Sequence, residues 1–214
     1  MIKAIIFDLD GTLIDSEKLH LKAELETLKT FGIKAKKEKI LGYMGMGIKD
    51  YFQVLKEKFN AHYSIEKIVK AHVKTLEKYY GGLFPAVSNT KKTIRDLSKR
   101  YTLALGTSAH TRLAKMCLKR LGIAKYFKVI TGGDKVKHAK PHPEIFLLIA
   151  KKLKIKPQEI VVIEDSTNGF KAAKSAGMQV IARIGSHNKS EDFSLADHKI
   201  KNLLKIKTYL KYEN

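Results

Sequence analysis

Short apolar runs rich in β-branched residues alternate with longer segments of helical periodicity along most of the chain. Each run is bounded by glycine, aspartate, serine or threonine, which is typical of strands buried on both faces. This order of elements predicts an α/β fold, a Rossmann-like parallel sheet with helices on both sides. The predicted strands cover residues 2–8, 102–106, 128–131, 160–164 and 179–181, and the predicted helices lie near residues 89–99, 111–121, 143–153 and 167–176.

One long segment, residues 15–82, departs from this alternation. Its apolar residues recur at helical spacing throughout, as in the series from Leu21 to Phe31. We therefore predict two domains, a discontinuous core of residues 1–14 and 83–214 and a helical insertion of residues 15–82. Beyond Lys201 the apolar spacing predicts a final helix.

Polar groups stand at or just beyond the ends of four predicted strands, where an open α/β sheet binds its ligands. Four carboxylates in one crevice repel one another unless a cation neutralises them, and Mg²⁺ prefers oxygen ligands. A lysine and two hydroxyls can bind phosphate oxygens. The set is suited to a dianion, a divalent metal and a nucleophilic carboxylate. Its members are Asp8 and Asp10, Thr107 and Ser108, Lys140, and Glu164 and Asp165.

Four motifs in this set resemble those of the haloacid dehalogenase-like (HAD) superfamily, in the same order along the chain. The first is Asp8-Leu9-Asp10-Gly11-Thr12-Leu13, and Thr107 is similar to the second. Lys140, within Lys140-Pro141-His142-Pro143, is similar to the third, and Glu164-Asp165-Ser166-Thr167-Asn168-Gly169 to the fourth. The resemblance implies a HAD fold whose insertion is a cap that closes over the substrate.

The resemblance also implies a role for each motif residue. Asp8 would attack phosphorus and become an aspartyl-phosphate, while Asp10 would protonate the leaving oxygen and then activate water. Thr107 and Lys140 would bind the phosphoryl group, and we expect Ser108 to contribute to the same site. The implied Mg²⁺ ligands are Asp8, the Asp10 backbone carbonyl, Asp165 and Glu164.

The insertion is similar to that of the β-phosphoglucomutase-like and phosphoglycolate phosphatase-like branch. The resemblance makes His20 a substrate-site residue, although a half-buried helix histidine is the simpler alternative. Mutases of this branch usually carry an arginine a few residues after the glycine that matches Gly42, and this chain has Gly45 there, in the expected substrate loop. This departure favours hydrolysis of a small phosphomonoester, such as a sugar, polyol or small-acid phosphate. A sugar-phosphate mutase is the alternative.

Composition and charge add limits to this hypothesis. The net charge of +21 attracts anions, but only five arginines are present and the lysines are spread along the chain. We therefore expect a small-molecule substrate, whereas a phosphate sensor or nucleic-acid-binding protein on the same scaffold is a third reading. No apolar run approaches the ~20 residues of a membrane helix, and we recognise no signal peptide. With one cysteine, Cys117, no intramolecular disulfide is possible, which fits the cytoplasmic location that we expect. A monomer is our default expectation.

Overall fold

The computed structural model describes residues 1–40, 43, 46–82 and 85–210. The chain forms two compact units, one made of Met1–Asp15 with Ala86–Asn214 and the other of Ser16–Pro85. We call them the core unit and the helical unit. No helix in the described ranges combines the length and the apolar character that crossing a lipid bilayer demands.

The core unit contains a six-stranded sheet in which every neighbouring pair is parallel. The strands lie in the order β3-β2-β1-β4-β5-β6. The predicted parallel α/β fold is therefore confirmed. The strands are β1 (Ala4–Phe7), β2 (Thr102–Thr107), β3 (Phe127–Gly132), β4 (Ile160–Glu164), β5 (Gln179–Arg183) and β6 (His198–Ile200).

The described helices of the helical unit are α1 (Glu17–Thr30), α2 (Lys37–Ile40), α3 (Ile48–Lys58) and α4 (Ile65–Tyr80). Their apolar faces meet in a separate core that includes Leu28, Phe52 and Ile68. Ser64 caps α4 by accepting a hydrogen bond from the Lys67 amide. The helical pattern predicted for this segment is thus observed, with α2 as an additional short helix.

The remaining helices belong to the core unit. They are α5 (Thr90–Leu97), α6 (Thr111–Arg120), α7 (Glu144–Leu153), α8 (Thr167–Ser175) and α9 (Ile206–Tyr209). The first four match predicted helices within a few residues. The tail predicted as one helix is a 3₁₀ turn followed by the four-residue α9.

The central strand β1 determines where the polar strand ends meet. Its four residues are fully buried, and Ile6 packs with Phe146 of α7 and Phe170 of α8 in one apolar cluster. The chain builds β2 and β3 on one side of β1 and then β4, β5 and β6 on the other. Such a reversal of strand order opens a crevice at the carboxyl ends. The ends of β1, β2 and β4 are consequently neighbours.

Candidate active site

Asp8 directly follows β1 and is 6% exposed. Its amide donates to the Ile163 carbonyl of β4 at 2.9 Å, which continues the strand pairing to this residue. The backbone then turns at Gly11, whose φ is +76° and whose amide donates to the Ile14 carbonyl at 2.7 Å. Because of this turn, Asp10 does not continue in the direction of β1 as Asp8 does. Asp10 is half-buried.

Lys140 joins three strand ends through its buried ammonium group. Nζ donates to Asp8 Oδ1 at 2.8 Å, to Glu164 Oε1 at 2.7 Å and to the Gly106 carbonyl at 3.1 Å. An ammonium has three donors, so each of its protons has an acceptor. The lysine predicted from the third motif therefore lies between the carboxylates of the first and fourth motifs.

The Glu164 carboxylate is held from both sides. Oε1 accepts from Lys140, and Oε2 accepts from the amides of Asp165 and Ser166 at 2.6 and 2.7 Å. The Ser166 hydroxyl adds a third bond to Oε2 at 3.0 Å. A Cβ on Gly169, in the first turn of α8, would overlap this carboxylate. Glycine in the fourth motif thus provides the space that Glu164 occupies.

Asp165 has a partner that the sequence did not indicate. His187 Nε2 lies 2.8 Å from Asp165 Oδ2, and the Thr12 hydroxyl donates to Oδ1 at 3.4 Å. Asn188 Nδ2 donates to the Asp165 carbonyl at 2.7 Å. Both new residues lie in the loop after β5, at the carboxyl edge of the sheet. In the sequence, only this position beyond a strand end could have indicated the two residues, because the loop contains no recognised motif.

Thr107 is the last residue of β2 and is buried. Its hydroxyl oxygen accepts from the Ala109 amide at 3.1 Å, which leaves the hydroxyl proton available for donation. Ser108 follows and is partly exposed. Both predicted phosphate-binding residues therefore stand at the strand end next to that of β1.

A family model for haloacid dehalogenase-like hydrolases matches residues 5–183, which include every one of these residues but His187 and Asn188. The chain belongs to the haloacid dehalogenase-like hydrolase family. The superfamily expected from the four motifs is thereby confirmed.

Relatives within this HAD family cover nearly the whole chain. A phosphorylated carbohydrates phosphatase from Thermotoga maritima is 36% identical over 84% of this chain and 84% of that protein. A phosphoglycolate phosphatase from Shigella dysenteriae is 31% identical over 91% of this chain and 86% of that protein. The solved β-phosphoglucomutase of Clostridium difficile is 27% identical with a TM-score of 0.81, over 98% of this chain and 96% of that chain. The predicted branch and the enzyme class, a HAD phosphatase, are confirmed.

The carboxylates of this HAD site are closely spaced. One oxygen from each of Asp8, Glu164 and Asp165 lies within 4.8 Å of the others. Burial raises the pKa of Asp8 well above its usual value, and Lys140 only partly opposes this effect. Burial likewise raises the pKa of Asp165, to about 6, against the bond from His187. These carboxylate oxygens are hard donors that lie close together, and their negative charge is only partly balanced. Such a group fits a divalent cation such as Mg²⁺.

Lys140 itself remains charged despite its burial. Burial disfavours the ammonium form, but the charges of Asp8 and Glu164 outweigh that penalty and raise the pKa of Lys140. The site therefore carries a fixed positive charge beside the carboxylate that the HAD motif marks as the nucleophile.

Two predicted substrate residues lie in the segment inserted between the two parts of the core unit. His20 lies on α1 of the helical unit, where Nε2 is 3.0 Å from the Tyr80 hydroxyl of α4. Gly45 lies outside the described residues. The substrate-binding roles of His20 and Gly45 remain predictions.

Proposed function

We propose that this HAD phosphatase hydrolyses a small phosphomonoester through an aspartyl-phosphate on Asp8. The observation that carries the proposal is the buried position of Asp8 at the end of β1, with Oδ1 held by the Lys140 ammonium at 2.8 Å. Lys140 fixes one carboxylate oxygen, so the carboxylate has a defined orientation for attack. Holding a nucleophile and its target in one geometry removes much of the entropic barrier.

In the first step a bond forms between an Asp8 oxygen and phosphorus while the bond from phosphorus to the ester oxygen breaks. Asp10 gives its proton to the departing oxygen, which leaves as an alcohol. In the second step Asp10 takes a proton from water as the water oxygen attacks phosphorus. The bond to Asp8 then breaks, and inorganic phosphate and the free carboxylate are formed.

Thr107, Ser108 and Lys140 are proposed to bind the transferring phosphoryl group. The free hydroxyl proton of Thr107 can donate to a phosphoryl oxygen. The Lys140 charge offsets the negative charge that accumulates when a carboxylate approaches a phosphate dianion. Removal of Lys140 would therefore affect both the orientation of Asp8 and the approach of its target.

The proposed metal ligands are Asp8, the Asp10 backbone carbonyl, Asp165 and Glu164. When bound, Mg²⁺ would neutralise phosphoryl charge beside the nucleophile. Hydrogen bonds from His187 and Thr12 orient the Asp165 carboxylate. Glu164 also holds the Asp165 and Ser166 amides and the Lys140 ammonium in place, and it would reach the ion directly or through a water molecule.

The substrate class follows from the relatives and from the branch. The Thermotoga maritima and Shigella dysenteriae relatives are named for phosphorylated carbohydrates and for phosphoglycolate. We therefore propose a sugar, polyol or small-acid phosphate for this chain. We further propose that the helical unit acts as the cap over this substrate.

A sugar-phosphate mutase is the second candidate, favoured by the likeness to the Clostridium difficile β-phosphoglucomutase. In a mutase the phosphoenzyme would pass its phosphoryl group to a sugar phosphate instead of to water. Such an enzyme would need a sugar bisphosphate to sustain turnover. The lack of an arginine near Gly45 is the sequence feature that ranks hydrolysis first.

A phosphate-release screen over a panel of metabolite phosphoesters separates the two candidates. It would be run with Mg²⁺ or EDTA, and with or without glucose 1,6-bisphosphate. We expect Mg²⁺-dependent release that does not need the bisphosphate. We also expect Asp10→Asn to lower kcat by about 10²- to 10⁴-fold. Release unaffected by EDTA, or isomerisation of a sugar phosphate only with the bisphosphate, would contradict the hydrolase assignment.

A further inference from the structure

A second group of potential metal ligands lies inside the helical unit, and the proposed hydrolysis does not use it. His20 and Glu24 are four residues apart on α1, so they share one helix face. His72 projects from α4. One ring nitrogen of each histidine and one carboxylate oxygen of Glu24 lie within 4.8 Å of one another.

Glu24 is the least satisfied member of this group. The residue is 7% exposed, and its Oε2 has no hydrogen-bond partner among the described residues. The Tyr51 hydroxyl of α3 interacts with Glu24 electrostatically and as a distorted hydrogen-bond donor, but it has no partner in regular hydrogen-bonding geometry within the described ranges. A buried carboxylate with an unpaired oxygen is costly unless a proton or a cation neutralises it.

The hydrogen bond with Thr27 fixes the tautomer of His72. The Thr27 hydroxyl donates to the Ala23 carbonyl at 2.7 Å, and its oxygen lies 3.2 Å from His72 Nδ1. A hydroxyl has one proton, so Thr27 must accept a hydrogen bond from Nδ1–H. The other nitrogen, Nε2, is then the unprotonated one. His72 is 3% exposed.

We propose that His20, Glu24 and His72 form a binding site for a zinc-class divalent cation in the helical unit. Two imidazoles and one carboxylate suit Zn²⁺ or Co²⁺, whereas Mg²⁺ prefers oxygen donors alone. Ligand atoms of tetrahedral zinc are about 3.4 Å apart, so modest side-chain adjustment closes the group around an ion. The cation would neutralise Glu24 and tie α1 to α4.

Metal-binding histidines usually have a hydrogen-bond partner at the ring nitrogen that does not bind the metal, and each imidazole of this group has a hydroxyl neighbour. Thr27 accepts from His72, and the Tyr80 hydroxyl lies 3.0 Å from His20 Nε2. With the ion bound, His20 is a metal ligand, so this assignment replaces the substrate-binding role expected from the resemblance. The site differs in donor chemistry from the oxygen-rich cluster of the core unit, and it goes beyond the proposed hydrolysis.

Zinc retention by the full chain tests the site without any measurement of turnover. Protein stripped of metal would be incubated with Zn²⁺ and excess Mg²⁺, freed of unbound ions by gel filtration and analysed for zinc. We expect Glu24→Gln and His72→Gln to lower zinc affinity by more than about 100-fold, since loss of a ligand's partner alone costs about 10- to 100-fold. His62→Gln, at an exposed histidine of the same unit, is the matched control and should retain zinc as wild type does.

Two further measurements locate the ion. Co²⁺ bound to wild type should give the visible absorption of a tetrahedral site, which Asp165→Asn should keep and Glu24→Gln should lose. In saturating Mg²⁺, added Zn²⁺ should raise the thermal midpoint of wild type further. This result does not depend on how any variant folds. Equal zinc retention by wild type and Glu24→Gln, or no effect of Zn²⁺ on the thermal midpoint, would overturn the proposal and leave Glu24 as a buried carboxylic acid.

Discussion

At the scale of single residues, Lys140 connects three strand ends that are far apart in the sequence. Its side chain is 4% exposed, and those of Asp8 and Glu164 are 8% and 1% exposed. A buried ion pair of this kind contributes little net stability compared with apolar packing, but removal of one partner leaves an uncompensated charge. The consequences of losing Lys140 should therefore exceed those of losing a surface lysine.

We expect Lys140→Met to lower the free energy of unfolding by about 3–5 kcal/mol, because two buried carboxylates lose their cation. Turnover should fall by orders of magnitude, since the orientation of Asp8 is lost as well. Urea unfolding and Mg²⁺-dependent phosphate release measure the two effects. Lys137→Met, at an exposed lysine of the same loop, should change neither. Near-normal turnover in Lys140→Met would show that the ammonium group is not part of the mechanism.

Gly11 and Gly122 allow backbone strain to be separated from steric overlap. Both have positive φ, +76° and +69°. A Cβ at Gly11 would overlap the Asp165 carboxylate and contact His187, whereas a Cβ at Gly122 meets nothing within 4 Å. We expect alanine to cost about 1 kcal/mol of strain at each position. Only Gly11→Ala should also displace Asp165.

Gly11→Ala should therefore lower turnover and raise the Mg²⁺ concentration required for half-maximal activity. Gly122→Ala should leave both parameters at their wild-type values despite the stability that it loses to backbone strain. Steady-state kinetics over a Mg²⁺ titration and thermal unfolding of both variants provide the comparison. An unchanged Mg²⁺ requirement in Gly11→Ala would count against Asp165 as a metal ligand.

At the scale of elements, the accuracy of the sequence-based predictions followed element length and burial. Strands β1 to β5 are mostly buried and apolar, so their pattern was readable. Each of the five was predicted within two residues at either end. Strand β6 has three residues, two of them exposed. Helix α2 has four residues. Neither is long enough to show a period, so both were missed.

The first turn of α6 depends on a side chain from another segment. Asp134 Oδ1 accepts from both the amide and the hydroxyl of Thr111 at 2.6 Å. Burial disfavours ionisation of Asp134, but the bonds from Thr111 outweigh it and lower the pKa to about 2. This contact holds the N-terminus of α6 beside the turn that follows β3, just past the strand end that carries Thr107.

We expect Asp134→Ala to destabilise the chain by about 1–2 kcal/mol near neutral pH. Because the folded-state pKa lies below the ordinary value of 3.8, the stabilisation is fully present above about pH 4 and is lost as the pH falls through about 2. The difference between wild type and variant should therefore shrink as the pH is lowered from 4 towards 2. Urea unfolding across this range measures it, with exposed Asp50→Ala as the control. A difference that grows on acidification would contradict this account.

At the scale of the whole molecule, most of the motif residues could be predicted because they stand at or just beyond the end of a strand, whereas Lys140 follows β3 only after residues 133–139 and was recognised from its motif. Strand order then places Asp8, Thr107 and Glu164 at one edge without further information. His187 could not be predicted, because its contact with Asp165 depends on how the loop after β5 folds back. The group of His20, Glu24 and His72 also escaped the sequence analysis, since His72 becomes a neighbour of α1 only when α4 packs against it.

The net charge of +21 is a property of the whole molecule that no single contact explains. The described part of the core unit uses one buried lysine at the site, and the exposed lysines are consistent with general attraction of anions. A small-molecule phosphoester remains the predicted partner, and a monomer the predicted state. The charge alone does not identify a nucleic-acid surface.

The central claim is that Asp8 becomes phosphorylated during turnover. Acid quenching of the Mg²⁺-activated enzyme in the presence of its best phosphoester, followed by mass spectrometry of the peptides, tests it most directly. We predict one phosphoryl group on the peptide that contains Asp8, absent from Asp8→Asn, which should fold normally and be inactive. A phosphoryl group on another residue, or substantial turnover by Asp8→Asn, would contradict the account.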